Sequence, residues 1–103
     1  MGISMASREA FLYNALGIPL TPNLRTYKLL HIGQEPDYRV DFVETPETDS
    51  PYGVRSYSEH GIIGMPAALG NALSAAFGKE LLFLPLTPER IWKAEKEGGN
   101  DSI

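Results

Sequence analysis

Glu59 is the residue of this chain whose neighbours best suit it to do chemistry. It lies in the run Ser50-Pro-Tyr-Gly-Val-Arg-Ser-Tyr-Ser-Glu-His-Gly61, which is rich in small and turn-forming residues. A single carboxylate held on a tight Gly/Ser turn is suited to act as a positioned general base. On residue type alone, however, a glutamate in a loop is most often a solvated surface group.

Other residues that often carry chemistry give weaker patterns. His31 and His60 are far apart in sequence, and neither has a second histidine at helical spacing, whereas a zinc site needs three or four ligands. Ser58-Glu59-His60 contains the letters of a catalytic triad, but there is no Gly-x-Ser-x-Gly turn to present a serine. We therefore predict no metal site within this chain.

Composition excludes several classes of protein. The chain has 103 residues, a formal net charge of −4 and no cysteine. The acidic balance argues against nucleic acid as a partner, and the lack of cysteine excludes an iron–sulfur cluster held by this chain. No apolar run of twenty residues exists, so we expect no membrane partner. The N-terminus does not have the pattern of a signal peptide, and we expect a cytoplasmic protein.

The elements around Glu59 can be predicted from periodicity and turn residues. Apolar residues at helical spacing predict a helix over residues 3–13, and alternation over residues 38–44 predicts a strand. A second short buried strand is predicted over residues 81–84. The Pro- and Gly-containing segment 45–53 is interpreted as an ordered active-site loop, because scaffolds tend to place chemistry on loops.

Two helices have clear boundary residues. Pro66 is a favourable first residue and Gly78 a favourable stop, so a helix should run from Pro66 to Phe77. Thr87-Pro88-Glu89 combines a cap, a proline and an acid, which predicts a second helix from Pro88 to about residue 95. Residues 97–103 are predicted to form a flexible tail.

The order of motifs resembles a known family. The motifs that match are Pro19-Leu-Thr-Pro-Asn-Leu-Arg-Thr-Tyr-Lys28, Val40-Asp-Phe-Val-Glu-Thr45, Ser50 to Glu59, Pro66 to Phe77 and Leu84-Pro-Leu-Thr-Pro-Glu-Arg90. Together they resemble the C-terminal end of the molybdenum-binding subunit of the xanthine dehydrogenase and aldehyde oxidase family. In that family a Gly-x-Gly-Glu-like turn presents the catalytic glutamate. Here Ser56-Tyr57-Ser58-Glu59 occupies the turn, with Arg55, Ser56, Ser58 and His60 departing from the usual Lys, Gly, Gly and Pro.

The resemblance implies a fold and a function. The fold expected is α+β, a small mixed sheet with helices packed on one side, in which residues 1–96 are the C-terminal part of a larger molybdopterin-binding domain. The activity implied is hydroxylation of purines, aldehydes or N-heterocycles with oxygen derived from water, with Glu59 as catalytic base. Gly53, Ser56 and Ser58 would contact the pterin cofactor, although simple turn formation explains them equally well.

The resemblance also implies partners. The remainder of the molybdenum-binding subunit and iron–sulfur and FAD subunits would complete the enzyme, and the isolated chain is expected to hold no molybdopterin. It would then be a truncated chain, a remnant or a split subunit. Apolar residues left without partners (Ile3, Met5 and Ala6, with part of Leu69, Leu73 and Phe77) predict a homodimer of the isolated chain. The alternative function is a non-catalytic interaction or regulatory domain that keeps the fold.

Overall fold

The computed structural model describes residues 1–97. In chain order the helices are α1 (Gly2–Ser7), α2 (Leu24–Tyr27), α3 (His60–Ile63), α4 (Met65–Phe77) and α5 (Pro88–Glu97), with a 3-10 turn at Pro51–Gly53. Across this described range, no helix is both long and apolar enough to span a membrane. The predicted tail lies outside the described residues, apart from Glu97, which ends α5.

Helix α4 begins and ends where its boundary residues predict. Pro66 lies in its first turn. Backbone N–H groups there have no acceptor within the helix, so the N–H that proline lacks is not needed. Gly78 adopts a left-handed conformation, with φ of 68°, and donates its N–H to the carbonyl of Ser74. This C-terminal stop is the one that a glycine makes without steric penalty. The predicted helix is confirmed, one residue longer at its start.

Helix α5 is also confirmed, and it ends two residues later than predicted. The hydroxyl of Thr87 accepts a hydrogen bond from the N–H of Arg90 at 3.3 Å, as an N-cap residue should. Glu89 lies in the first turn and Lys96 in the last, and both charges oppose the helix dipole.

The small hydrophobic core lies between α4, α5 and the segment that joins them. Its buried members are Leu81, Phe83, Leu86, Ile91 and Ala94, and Leu69 and Leu73 of α4 pack against them. The guanidinium of Arg90 lies over the ring of Phe83, 4.5 Å from the ring centre. Leu69 and Leu73 are therefore partly covered within the chain itself, whereas Phe77 is 42% exposed.

Helix α1 packs against α3 and α4. Ser4 and Ala6 are buried, and the carbonyl of Ala6 accepts a hydrogen bond from the N–H of Leu86 at 2.6 Å. A Cβ atom at Gly2 would lie 2.5 Å from the Cβ of Met65, so only glycine permits this close approach. The burial of Ala6 contradicts the prediction that it faces water.

The predicted helix over residues 3–13 is wrong beyond Ser7 because a local turn competes with it. The Asn14 side chain accepts hydrogen bonds from the N–H groups of Leu16 and Ile18, each at 2.9 Å. This turn brings Tyr13 beside Pro19 in an isolated antiparallel bridge. Asparagine offers the backbone such alternatives to helix, which is why the periodic pattern did not continue.

The predicted α+β fold with a small mixed sheet is wrong. Among residues 1–97 the bridge between Tyr13 and Pro19 is the only β pairing, and neither residues 38–44 nor residues 81–84 form a strand. A strand is defined by hydrogen bonds to a partner, so an alternating sequence cannot make one by itself. The described residues instead form a helical unit with long irregular connections.

The chain is open, with much more surface than a compact protein of its size. Its accessible surface is 8482 Å², whereas about 5,700 Å² is expected for a folded monomer of this mass. The Cα radius of gyration is 17.8 Å, against about 13 Å for a compact chain of this length. Most of the exposed large apolar side chains lie between Phe11 and Tyr57, not on α1 or α4.

Candidate active site around Glu59

A closed loop precedes Glu59. The N–H of Glu47 donates to the carbonyl of Gly53 at 3.2 Å, and the N–H of Gly53 donates to the carbonyl of Ser50 at 3.1 Å. The guanidinium of Arg55 braces the loop from outside, since its Nε lies 2.6 Å from the carbonyl of Thr45 and its Nη2 lies 3.5 Å from the Glu47 carboxylate. Segment 45–55 is thus held by its own contacts, and Arg55 has a structural role in it.

Glycine is needed at one position of this loop. Gly53 has φ of 71°, and a Cβ there would lie 3.3 Å from the Cβ of Pro46. Tyr52, directly before it, also has a positive φ, of 59°. Two successive left-handed residues turn the chain sharply, which lets Gly53 meet Glu47 and close the loop.

The turn that carries Glu59 is held by His60. The Nδ1 atom of His60 accepts a hydrogen bond from the backbone N–H of Ser58 at 3.0 Å. The imidazole also stacks on the ring of Tyr57, with 5.4 Å between ring centres and 8° between planes. Phe42 meets the same tyrosine edge to face at 6.0 Å. The residues on both sides of Glu59 are therefore connected to one another and to the segment before the loop.

Glu59 itself lies at the start of α3. Its backbone carbonyl accepts the N–H of Ile62 at 2.9 Å, which fixes the main chain. The side chain is exposed, and it forms no hydrogen bond or ion pair with any residue of the range 1–97. The main chain at Glu59 is thus fixed, and its carboxylate is not engaged by another described residue.

The predicted cofactor contacts differ in what they can offer. The N–H of Gly53 is already donated to Ser50, and that of Ser58 to His60, so neither is free for a phosphate in this conformation. The hydroxyl groups of Ser56 and Ser58 lie in the exposed turn beside Glu59. They are neutral hydrogen-bond donors, and Gly53 shapes the loop that precedes them.

Two further features lie apart from this turn. A groove of about 670 Å³ runs between α4 and residues 80–86, and none of the predicted site residues lines it. Within the described part of the chain, no three or more His, Cys, Asp or Glu residues are grouped so that they could hold a metal ion. Glu59 and its turn therefore remain the candidate active site.

Sequence reasoning missed the roles of Tyr57 and His60. The sequence pattern predicts no contact between them, but together they fix the turn. The signal was the spacing of Ser58 and His60, because a polar side chain can accept the N–H of a residue two positions away. Histidine accepts such hydrogen bonds less often than asparagine or serine, so the spacing alone does not predict this contact.

The fold and the site define an open helical unit that presents one carboxylate in the turn after a braced loop. Over 94 residues the chain is 38% identical to the xanthine dehydrogenase molybdenum-binding subunit of Escherichia coli O157:H7, a match that spans 90% of this chain and 12% of that protein. It is 34% identical over 98 residues to the nicotine 6-hydroxylase large subunit of Paenarthrobacter nicotinovorans, spanning 92% of this chain and 12% of that one.

Comparison of backbone structures shows a relative of the same kind. The crystal structure of quinoline 2-oxidoreductase from Pseudomonas putida 86 superposes with a TM-score of 0.79 at 30% identity, over 93% of this chain and 13% of that chain. No family model matches the chain. The chain is homologous to part of the molybdenum-binding subunits of xanthine dehydrogenase-like molybdenum hydroxylases, as its motifs predicted.

Proposed function

We propose that this chain contributes the general base of a xanthine dehydrogenase-like molybdenum hydroxylase, and that Glu59 is that base. The observation that carries the proposal is an exposed, uncommitted carboxylate at the start of α3, in a turn fixed by His60 and Tyr57. The similarity to a molybdenum-binding subunit over 90% of the chain supplies the class of reaction.

The work of Glu59 would be proton transfer. When bound, the molybdopterin centre of the complete enzyme supplies the Lewis acid and the electron acceptor. Glu59 would accept the proton released as water-derived oxygen is transferred to the substrate carbon. A carboxylate does this best in a site from which water is excluded, because desolvation raises its pKa from about 4.3 towards neutrality. In this chain Glu59 faces outwards, so the covering surface must come from elsewhere.

The remaining site residues would position the cofactor. The hydroxyls of Ser56 and Ser58 would donate to the pterin or its phosphate, while Gly53 and Arg55 keep the loop in shape. The family turn that this segment resembles has glycine where these serines stand, so the hydroxyls would add two donors that a glycine turn lacks. We infer that they alter the cofactor contacts without replacing the base.

Substrate and partners follow from the relatives. Xanthine, nicotine and quinoline, which appear in the names of three of them, are all N-heterocycles, and such a ring is the substrate class that we propose. Because the chain spans only 12% of the length of its relatives, the rest of a molybdenum-binding subunit would complete the pterin site. Iron–sulfur and FAD components would carry the electrons away.

The test is Glu59→Gln in the complete molybdenum-containing enzyme. Gln keeps the shape but cannot accept the proton, so we expect turnover to fall by the roughly 10²–10⁴-fold typical of losing a general base. Molybdenum content should stay near normal. The matched control is Glu95→Gln, which neutralises an exposed carboxylate on α5, outside the loop. Ordinary turnover in Glu59→Gln would remove the base assignment and favour a non-catalytic interaction domain.

A further inference from the structure

The imidazole of His60 has one nitrogen in use and one that is free. Its Nδ1 atom accepts the N–H of Ser58 at 3.0 Å. A neutral imidazole carries one hydrogen, and a ring whose Nδ1 accepts a hydrogen bond carries that hydrogen on Nε2. Nε2 has no hydrogen-bond partner among residues 1–97, and the side chain is exposed. The turn therefore holds a neutral donor whose tautomer is set by the protein.

The direction of this donor is fixed as well. The imidazole stacks on the ring of Tyr57, with 5.4 Å between ring centres and 8° between planes. Phe42 packs against the same tyrosine at 73°. The stack and the hydrogen bond to Ser58 together restrict both side-chain torsions of His60. A donor that is ordered in advance loses little entropy when a ligand accepts its hydrogen, so it suits ligand selection.

This donor belongs to the residue directly after the proposed base. Glu59 and His60 are both exposed, and the Glu59 carboxylate has no partner among the described residues. One short turn thus offers a proton acceptor and a hydrogen-bond donor to the same external molecule. In an N-heterocycle the electron-poor carbon is bonded to a ring nitrogen, and the lone pair of that nitrogen accepts hydrogen bonds. Such a ring complements the pair, because it can engage both groups at once.

We propose that the Nε2–H group of His60 donates a hydrogen bond to the ring nitrogen of an N-heterocyclic substrate. This inference rests on the proposed function, which takes the substrate class from the names of three relatives. The hydrogen bond orients the ring and draws electron density from the carbon beside the nitrogen, where oxygen is transferred. The family turn that this segment resembles has proline at this position, which has no side-chain donor. His60 is therefore a specificity-determining residue of this chain.

The tautomer can be tested in the chain itself. NMR of the ring nitrogens, recorded above about pH 8, where imidazoles are neutral, separates a nitrogen that carries hydrogen from one that does not. We expect the hydrogen of His60 on Nε2 alone. His31, the other histidine, is the internal control, because its ring has no hydrogen bond to a described residue. Hydrogen on Nδ1 of His60, or a tautomer mixture equal to that of His31, would overturn the proposal.

Substrate selection is tested by binding in the complete molybdenum-containing enzyme. The enzyme carries Glu59→Gln, so that a bound ligand is not consumed. Quinoline and naphthalene are the probes, because they have the same shape and only quinoline has a ring nitrogen. The quantity measured is the Kd of naphthalene divided by the Kd of quinoline, and comparing this ratio between variants cancels the difference in hydrophobicity. Quinoline that binds no better than naphthalene with His60 in place would contradict the proposal.

Two variants of His60 separate its two nitrogens. The amide of His60→Asn reaches only the position of Nδ1, so it keeps an acceptor for Ser58 and loses the donor. The amide of His60→Gln reaches the position of Nε2 and restores the donor. We expect the ratio to fall roughly three- to tenfold in His60→Asn, as for one lost hydrogen bond, and to stay within about twofold in His60→Gln. Equal ratios in the two variants would show that Nε2–H is not the cause.

The control for these variants is His31→Asn, which removes an exposed histidine outside the turn and should leave the ratio unchanged. Molybdenum content should also stay near normal in His60→Asn. A tenfold loss of molybdenum in that variant would show that the donor serves the cofactor, and the substrate assignment would fail.

The outcomes also separate this proposal from the proposed function. If turnover depends on Glu59 but the ratio is unchanged in His60→Asn, the role of His60 fails and the base assignment stands. If Glu59→Gln keeps ordinary turnover while His60→Asn loses the preference for quinoline, the base assignment fails and His60 remains a residue that binds the ring.

Discussion

The Nδ1 atom of His60 lies 3.0 Å from the backbone nitrogen of Ser58 and accepts its hydrogen, so the histidine closes the turn that carries Glu59. In this arrangement Nδ1 is unprotonated, and a neutral ring holds its hydrogen on Nε2. The main-chain turn that carries the proposed base is thereby held by a neighbouring side chain.

Replacing His60 should loosen the turn with little effect on stability. His60→Phe keeps a ring that can stack on Tyr57 but removes the acceptor, and the exposed N–H of Ser58 can turn to water. We expect the free energy of unfolding to change by less than about 1 kcal/mol. The amide of Ser58 should exchange faster with solvent, as measured by NMR. His60→Asn, which restores a nearby acceptor, should recover part of the protection, and unchanged exchange in His60→Phe would show that the hydrogen bond is not formed.

Gly53→Ala should open the braced loop. Alanine at φ of 71° incurs a left-handed penalty of about 1–2 kcal/mol, and its Cβ meets Pro46 at 3.3 Å. We expect the amide of Glu47, which donates to Gly53, to lose protection from hydrogen exchange. Gly64→Ala is the control, because its φ is −86° and no atom lies within 4 Å of the added Cβ. Equal effects of the two substitutions would mean that the left-handed turn is not important.

Leu86→Ala should destabilise the helical unit strongly. Leu86 is 3% exposed in the core, and loss of such a side chain costs about 2–5 kcal/mol. Leu82, four residues earlier and 68% exposed, supplies the control, since Leu82→Ala should stay within about 0.5 kcal/mol. Chemical denaturation followed by circular dichroism at 222 nm gives both values. Similar losses at the two positions would contradict the location of the core.

Glu9 and Tyr27 predict a pH effect in the alkaline range. Partial burial, and then the neighbouring Glu9 carboxylate, raise the pKa of Tyr27 above 10.0. One oxygen of the Glu9 carboxylate is buried and has no hydrogen-bond partner among residues 1–97. Because the raised pKa belongs to the folded state, this contribution to stability is complete below about pH 10 and is lost as the pH rises through the folded pKa.

Glu9→Gln should lower the pKa of Tyr27 towards 10.0 without restoring it fully, since burial remains. The tyrosine Cζ resonance, followed by NMR between pH 8 and pH 12, reports the change. Glu95→Gln removes a carboxylate on α5 and should leave the titration unchanged. A Tyr27 titration unaffected by Glu9→Gln would show that the two side chains do not interact.

The sequence allowed α4 and α5 to be predicted nearly to the residue, because their boundary signals are local. Pro66, Gly78 and Thr87 each act within one helical turn of themselves. The strand over residues 38–44 was predicted from equally clear alternation and is absent, because pairing depends on a partner distant in sequence or outside the chain. The N-terminal helix failed for a third reason, the competing turn at Asn14.

The site divides in the same way. Glu59 was singled out from the order of motifs, and the loop before it was correctly interpreted as ordered. The support from His60 and Tyr57 was not predicted, since a ring stacked on its third neighbour depends on the backbone path of the turn. The uncommitted state of the Glu59 carboxylate likewise depends on the full three-dimensional arrangement.

The N–H of Leu86 donates a hydrogen bond to the carbonyl of Ala6. This contact joins a residue near the N-terminus to one near the C-terminus, so the residues between them form one large loop. Closing a loop of roughly eighty residues costs about 4 kcal/mol in chain entropy, and cutting the loop removes that constraint. A protease that nicks the exposed stretch 36–47 would sever none of the contacts among α1, α4 and α5. The two fragments would still meet at the interface between α1 and α4. We therefore expect them to associate again after they are separated and mixed, as the halves of a split protein do.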